Sequence, residues 1–580
     1  MIYVIKNLLS VNSIIGIFIP IYLILLMCLR NKFTNKLVWK ILYFVPLLIG
    51  IIHFIVLYMH AYISFQMELY LYLYIACFIS FIPQFLYKKD KAYIVVSIII
   101  IIASVGLWFG NILSASMVPN LHNLSYLSYT ESFKKSIEIL KKEYSLVDHK
   151  KIDLDAIYNK YYPDIDKAER EHDELLYLRT LTKFEKEFKD NHFAAFPTVA
   201  DFDYTLEIIK DINYSTNYYG FDTFMLTDGS IIAVDVLEDS PAYQQGLREG
   251  MTITKKNGVE INEVLKQTTF RSEPVLVSEN MVNALFLFTY GDDTITVSFI
   301  NDLGEEQTIE VYNYEESLTN SGYYDYKLSF EPYITNDEEL ENYYTKMLDD
   351  DTGYLLITDE MYNEFYCSLS YVTGRANYIT KLMDKKLSDL KEQGMKDLII
   401  DLRGNNGGYA LEAIAVAEFF TDKSYTIANE YVKGLGDLHS NYKLNGNGKY
   451  KDMKVTVLIN KECASAGDWL VDMLKKGDNT TVVGITDSNN IGQSTGGLII
   501  LSGGIAAIKY PIGMAYEPGS SKMYIDTDET RQARVTVDKR IEITKENFRE
   551  IFAKPVETEK NYYDNINDDT ELAYVLKYIH

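Results

Sequence analysis

Four apolar stretches near the start of the chain set the first limit on what it can fold into. They run approximately Leu8–Leu29, Ile41–Met59, Leu69–Tyr87 and Ala92–Leu113, and each is close to the ~20 residues that a helix needs to cross hydrocarbon. No Lys, Arg, Asp or Glu interrupts them, and a charge at mid-depth in lipid costs several kcal/mol. Trp39, Tyr43, Tyr87 and Trp108 stand near their ends, where amphipathic rings favour the membrane interface. The expectation is a transmembrane region of four helices over residues 1–118.

The connecting charges orient that region. Arg30, Lys32, Lys36 and Lys40 lie in the first connection and Lys88, Lys89 and Lys91 in the third, whereas the second, around His60–Glu68, has no Lys or Arg. The positive-inside rule then puts the first and third connections in the cytoplasm, with both termini and the rest of the chain outside. The start lacks a strong basic segment and a small-residue cleavage site, so a cleaved leader is not expected. His53 and His60 read as packing or interfacial residues.

Charge and cysteine usage narrow the partners. The net charge is −25, which argues against nucleic acid, because phosphate repels it. Only two of the 81 acidic residues fall in residues 1–118, so the remainder is a strongly acidic body. Four Cys, with no C-x-x-C and no Cys/His ligand spacing, exclude a disulfide framework and give no metal motif. No metal or organic cofactor is expected.

Within the body, residues 130–190 carry helical spacing at Phe133, Ile137, Leu140 and Tyr144, and again over Leu175–Phe188. From about 205 to 315 short strands alternate with turns. Ile231–Val236 is a β-branched run, followed by Asp239-Ser240-Pro241-Ala242, Gly246-Leu247-Arg248-Glu249-Gly250 and Asn257-Gly258. That order resembles a PDZ domain, in which a peptide adds as a strand and a Gly-rich loop holds its carboxylate. Gly220 and Phe221, in Tyr219-Gly220-Phe221, match that loop. From 350 onward strands (Tyr354–Thr358, Asp397–Leu402, Val455–Ile459) alternate with helices (Ala376–Leu390, Leu411–Phe420, Ala466–Leu474), the pattern of a layered α/β core.

Two strand ends in that core could carry chemistry. Asp401-Leu402-Arg403-Gly404-Asn405-Asn406-Gly407-Gly408 runs from a strand into a Gly pair that opens a helix, and such glycines can turn backbone N–H groups toward a ligand. Asn460-Lys461-Glu462-Cys463-Ala464-Ser465-Ala466-Gly467-Asp468 places a Ser between a strand and a helix. There the hydroxyl is either an N-cap or an exposed nucleophile.

Together the two motifs resemble the S41 peptidase family of C-terminal processing and tricorn-like proteases, with D-L-R-G-N-x-G-G before a V-L-V-N…S-A-S-E turn and a PDZ domain and helical cap upstream. The resemblance covers about residues 130–560. It implies an α/β fold with a ClpP/crotonase-like αββ spiral core, divided into a membrane region (1–118), helical cap (119–200), PDZ-like domain (201–315) and catalytic core (316–580). It implies Ser465 as nucleophile and an oxyanion hole from the N–H groups of Ala466 and of Gly407 or Gly408.

The base departs from one branch of the family. The tail-specific branch uses a Lys about 25 residues after the Ser, but Gly484–Ser494 contains none. The tricorn-like branch uses a His in D-G-H-T, and Asp190-Asn191-His192-Phe193 stands at the equivalent place. A neutral imidazole suits deprotonation of a hydroxyl near pH 7, so His192 is the expected base. Asp526 and Glu529 are the candidates to orient it. Cys463 reads as a buried apolar residue, and pairing with Cys367 is left open. The expected function is a membrane-anchored serine endopeptidase acting on extracytoplasmic protein or peptide substrates. The alternative is a catalytically silent protein that keeps the fold and binds peptides in its PDZ-like groove.

Overall fold

The computed structural model describes residues 11–32, 36–60, 63–86, 90–115, 120–185, 187–188, 190, 192–198, 218–267, 277–285, 287–288, 293–314, 342–433, 439–488, 495–524, 535–552, 566 and 569–580. The apolar N-terminal part forms α1 (Val11–Leu29), α2 (Lys36–Leu42), α3 (Val45–His60), α4 (Ile63–Ile79) and α5 (Asp90–Ala115). Helix α5 packs on α1 and α4, and α4 packs on α3. Its interior holds Trp39, Tyr43 and Tyr93, with the Tyr43 and Tyr93 hydroxyls 2.6 Å apart. Ile21, Leu25, Ile99 and Ile102 point outward. Arg30 Nη2 lies 2.5 Å from Asp90 Oδ1, which brings the first and third connections to one end of the bundle.

By length and composition, Leu37–Ile55 and Asp90–Gly110 suffice to cross a membrane, while Ile14–Leu29 and Leu71–Leu86 are shorter apolar helices. Among the described residues two helices have that length and composition, where four full spans are expected. The third expected span breaks after Ile79 into a 3₁₀ turn, Ile82–Leu86, around Pro83, whose missing N–H cannot continue an α-helix. The second connection is also shorter than expected, because Ile63–Glu68 is already helical. Residues 8–10 and Tyr87 of the expected spans lie outside the described residues.

The next segment comprises β1 (Asn120–Asn123), α6 (Tyr129–Glu143), α7 (Leu154–Glu171), α8 (Glu174–Glu185) and β2 (Ala194–Pro197). Asp153 Oδ1 accepts the Ala156 N–H at 2.9 Å and caps α7, satisfying a donor that the helix itself cannot. Phe133, Leu140, Tyr144, Ile165, Phe184 and Phe188 are fully buried between these helices, and each such aromatic contributes about 2–3 kcal/mol of hydrophobic burial.

Residues 218–314 form the antiparallel sheet β3 (Asp222–Met225), β4 (Ile231–Val234), β5 (Thr252–Lys256), β7 (Thr294–Ile300) and β8 (Glu306–Tyr312), in that spatial order, with the short β6 (Val259–Glu260) paired to β5. The β5–β6 hairpin turns at Asn257-Gly258, both at positive φ, as a two-residue hairpin requires. Ser240 Oγ accepts the Tyr243 N–H at 3.1 Å and starts the helical turn Pro241–Gln244. Helix α9 (Val277–Leu285) lies against β3, where Thr223 Oγ1 donates to the Ala284 carbonyl at 2.6 Å.

The remaining chain contains β9 (Tyr343–Met347), β10 (Thr352–Ile357), α10 (Glu364–Thr373), α11 (Asn377–Glu392), β11 (Asp397–Asp401), α12 (Ala410–Ala417), β12 (Ser424–Val432), β13 (His439–Asn445), β14 (Lys454–Leu458), α13 (Ala466–Lys475), β15 (Thr480–Gly484), β16 (Thr495–Ile500), β17 (Ala506–Pro511), β18 (Gly513–Tyr516), β19 (Lys539–Arg540) and α14 (Thr570–Tyr578). The central sheet has the order β19-β15-β14-β11-β10-β9, parallel except for β9. Its strands are continuous apolar runs because both faces are covered; Leu398, Ile399 and Ile400 are all fully buried. A second sheet, β1-β16-β17-β2, takes its outer strands from the helical segment and its inner ones from the core. The third is β13-β12-β18.

Candidate active site

The two glycine- and serine-bearing turns leave the C-terminal ends of adjacent parallel strands, β11 and β14. That end of an open parallel sheet is where ligands collect. Two contacts lock the turns together and a third braces the glycine turn itself. The Ala464 N–H donates to the Asn405 carbonyl at 2.8 Å, the Gly404 N–H donates to Asn460 Oδ1 at 3.0 Å, and the Gly407 N–H donates to Asn405 Oδ1 at 2.7 Å. A Cβ on Gly407 would lie 2.5 Å from Ser465 Cβ and 2.7 Å from both the Ala464 carbonyl oxygen and the Ala466 nitrogen. Only glycine permits that approach.

Ser465 occupies φ 55°, ψ −118° at the head of α13, the first central position of a type II′ turn, where glycine is usual. An N-capping Ser sits in the extended region and folds its oxygen onto the helix. Ser465 makes no such side-chain bond, so the capping alternative is excluded and the hydroxyl stands at a half-buried site. The structure also separates the two glycine candidates. The Gly407 N–H is held by Asn405, whereas the N–H groups of Gly408 and Ala466 take part in no hydrogen bond among the described residues. Two open donors beside an uncapped, half-buried hydroxyl can bind the oxygen of a carbonyl under attack.

Beneath Gly408 lies Glu360, fully buried. Its N–H donates to the Gly407 carbonyl at 3.2 Å, and its carbonyl accepts the Tyr409 N–H at 2.9 Å. Glu360 Oε1 accepts Asn405 Nδ2 at 3.0 Å. Burial pushes the Glu360 carboxyl up to about 8, with Glu412 and Asp359 adding to the rise and the Asn405 bond opposing it. Arg403, also fully buried, contacts Asp401 and Asp569 at 2.6 Å and Glu571 at 2.8 Å, tying α14 to the end of β11. Cys463 is buried, and that burial holds its thiol well above the ordinary range, as expected of a packing residue and not a nucleophile. Cys367 and Cys463 are both free thiols, so they are not paired; Cys367 Sγ instead donates to Glu412 Oε1 at 2.9 Å.

His192 lies in the turn between α8 and β2, half-buried. Its backbone N–H donates to Asp190 Oδ1 at 3.0 Å, and Asp190 Oδ2 accepts the Tyr144 hydroxyl at 3.0 Å. Burial raises the Asp190 carboxyl, and His192 opposes that rise. Strand β2 extends from this turn into the β1-β16-β17-β2 sheet, while Ser465 lies in the turn that follows β14 of the central sheet. Among the described residues no hydrogen bond joins Ser465 to His192. Asp526 and Glu529 lie outside the described residues, as do Gln493 and Ser494.

Gly220 has φ 81° and presses on Ser240, where a Cβ would come within 2.2 Å of the Ser240 Cβ. The Phe221 side chain is buried against Phe288, with ring centroids 5.0 Å apart. Among the described residues no group of three or more His, Cys, Asp or Glu side chains could hold a metal ion. Sequence reasoning passed over Glu360 and the roles of Asn405 and Arg403. The two motif residues were in view, but nothing local marks Glu360.

Residues 351–529 match the family model of Peptidase family S41. The carboxy-terminal processing protease CtpA of Bacillus subtilis (strain 168) is 25% identical over 264 residues, which is 45% of this chain and 44% of that protein. A probable CtpA-like serine protease of Staphylococcus epidermidis is 37% identical over 95 residues, 16% of this chain and 19% of that one. The chain thus spans less than half the length of these curated relatives. Among solved structures, mature CPAF is similar at 13% identity and a TM-score of 0.44, covering 77% of this chain and 97% of that one. The photosystem II D1 C-terminal processing protease is similar at 14% identity and a TM-score of 0.31, covering 71% and 93%. Ser465, Gly407 and Gly408 fall within the matched family segment, and His192 falls before it.

Proposed function

We propose that this chain, which carries a serine-type peptidase module of family S41, is a membrane-anchored endopeptidase cleaving protein or peptide substrates outside the cytoplasm. The observation that carries the reading is the Ser465 turn: a serine in a glycine conformation, uncapped, against Gly407 and beside two open N–H donors. In this scheme Ser465 Oγ attacks the peptide carbonyl and His192 takes its proton. The N–H groups of Ala466 and Gly408 stabilise the oxyanion. The imidazolium then protonates the departing amine, and water releases the acyl group by the same route. Asp526 or Glu529 orients the imidazole. The step requires His192 to close onto Ser465 when substrate binds, as catalytic hydrogen bonds often tighten only in the complex. The Gly220–Phe221 loop receives a substrate terminus through its backbone, in the manner of a PDZ domain.

Two features support the anchor. The N-terminal helices turn Ile and Leu outward and tyrosine hydroxyls inward, the reverse of a water-soluble bundle. The basic first and third connections share one end of that bundle. The test is Ser465→Ala in the full chain in detergent, on an unfolded protein substrate and with a fluorophosphonate probe. Both cleavage and labelling should vanish, and labelling that survives would remove Ser465 from the role. A second reading, a silent peptide-binding protein, draws on the lack of a hydrogen bond between Ser465 and His192. Peptide binding without turnover by the unaltered chain would favour it.

A further inference from the structure

Glu360 is a fully buried acid under the glycine loop that the scheme above does not use. Its backbone brackets Gly408, since its N–H donates to the residue before and its carbonyl accepts from the residue after. A Cβ on Gly408 would lie 2.5 Å from the Glu360 carbonyl oxygen. Its side chain acts on the same loop through one amide. Asn405 Nδ2 donates to Glu360 Oε1 and to the Ile357 carbonyl, both at 3.0 Å, while Asn405 Oδ1 holds the Gly407 N–H and the Asn405 carbonyl holds the Ala464 N–H. Rotating that amide would free Gly407 and loosen the join to the serine turn. Glu360 Oε2 is buried with no hydrogen-bond partner among the described residues.

We propose that the Glu360 carboxyl is a positioning group for the hydrolysis: in its neutral form it locks, through Asn405, the loop that presents the Gly408 N–H to the Ser465 turn. The proposal rests on the peptidase reading and deepens it. An ionised carboxylate with an unpartnered buried oxygen is costly. Burial opposes ionisation most, Glu412 on α12 and Asp359 on its own loop add to it, and the Asn405 bond favours it; Tyr343 of β9 and Cys463 of the serine turn, also beside it, stay neutral. A carboxyl raised by burial is neutral below its folded value and ionises as pH rises through it, here through about 8. Ionisation sets a negative charge beside the donors meant for an oxyanion and gives the buried oxygens a reason to draw in water. The loop then loosens and the donors lose their aim. The chemistry predicts an alkaline limb of activity that belongs to Glu360 and to no group touching the substrate.

The test compares the full chain with Glu360→Gln and Glu360→Leu in detergent, on a fluorogenic unfolded protein substrate, from pH 6 to 9.5. Gln reproduces the neutral carboxyl and cannot ionise. It should keep kcat within about threefold at pH 7 and lose the fall of kcat above pH 8, which in the unaltered chain approaches tenfold per pH unit. Leu should lower kcat at pH 7 about tenfold or more with KM within about twofold, since the lost contact aims a donor and does not bind substrate. An unchanged alkaline limb in Glu360→Gln, or unchanged kcat in Glu360→Leu, would overturn the proposal while leaving the peptidase reading intact. If the unaltered chain shows no turnover at any pH, the peptidase reading fails. Hydrogen exchange of the 402–410 peptide then decides the lock alone. Exchange above its intrinsic pH dependence should rise beyond pH 8 with Glu360 and stay flat with Gln, and equal profiles would refute the lock as well.

Discussion

Ser465 sits at φ 55°, ψ −118°, and the backbone cost of holding a side chain there can be measured. A non-glycine residue in such a region costs about 1–3 kcal/mol. Replacing it by glycine relieves that strain but gives the unfolded chain more freedom, worth about 0.5–1 kcal/mol in the opposite direction. Ser465→Gly should therefore be more stable than Ser465→Ala by about 0.5–2 kcal/mol. Comparing these two variants cancels the loss of the hydroxyl, which makes no capping bond in any case. Differential scanning calorimetry of the full chain in one detergent should show Ser465→Gly melting about 1–4 °C above Ser465→Ala. Both should be inactive, and Ser465→Ala should melt close to the unaltered protein. A glycine variant that melts at or below the alanine variant would refute the reasoning. It would mean that the turn at Ser465 is unstrained.

Three further outcomes follow from the same geometry. Gly407→Ala should cost about 2 kcal/mol or more and lower kcat about 100-fold, because its Cβ meets the serine turn at 2.5–2.7 Å; Gly229→Ala, at similar φ with nothing within 4 Å, should cost only about 1 kcal/mol and spare kcat. Arg403→Leu strands Asp401, Asp569 and Glu571 and should destabilise by about 3–5 kcal/mol at pH 8. Burial already raises the Glu571 carboxyl and Arg403 opposes that rise, so without the guanidinium it rises further; the deficit should shrink toward pH 5, and a pH-independent melting difference would contradict that origin. His192→Ala should reduce kcat at least 100-fold, and the unaltered chain should lose activity on the acid side as the imidazole becomes charged. Substantial residual turnover in this variant, with the acid limb unmoved, would assign the base elsewhere.

Much of the architecture was legible locally. The strands Asp397–Asp401 and Lys454–Leu458 and the helices Asn377–Glu392 and Ala466–Lys475 fall within about two residues of their expected bounds, because apolar period and Gly punctuation are local signals. Asn257-Gly258 and Ser240-Pro241 likewise announced their turns. The apolar N-terminus is legible as helix, but its composition carries the third expected span across Pro83 and assigns the helical start at Ile63 to a connection. Composition alone does not locate a helix break.

What the amino-acid order determined by itself was the type of the core strands and helices named above and the two turns that face one another. Glycines and a serine at strand ends need no distant partner to declare themselves. Which N–H stays open was decided only in three dimensions, because Asn405 spends its side-chain oxygen on Gly407 and leaves Gly408 unengaged. The serine's left-handed backbone, the buried Glu360 under the loop, and the contact of Arg403 with Asp569 and Glu571 were also invisible locally. The Glu360 and Arg403 contacts join residues 45 to 168 positions apart, and their energetics depend on burial, which no local pattern of residue types encodes.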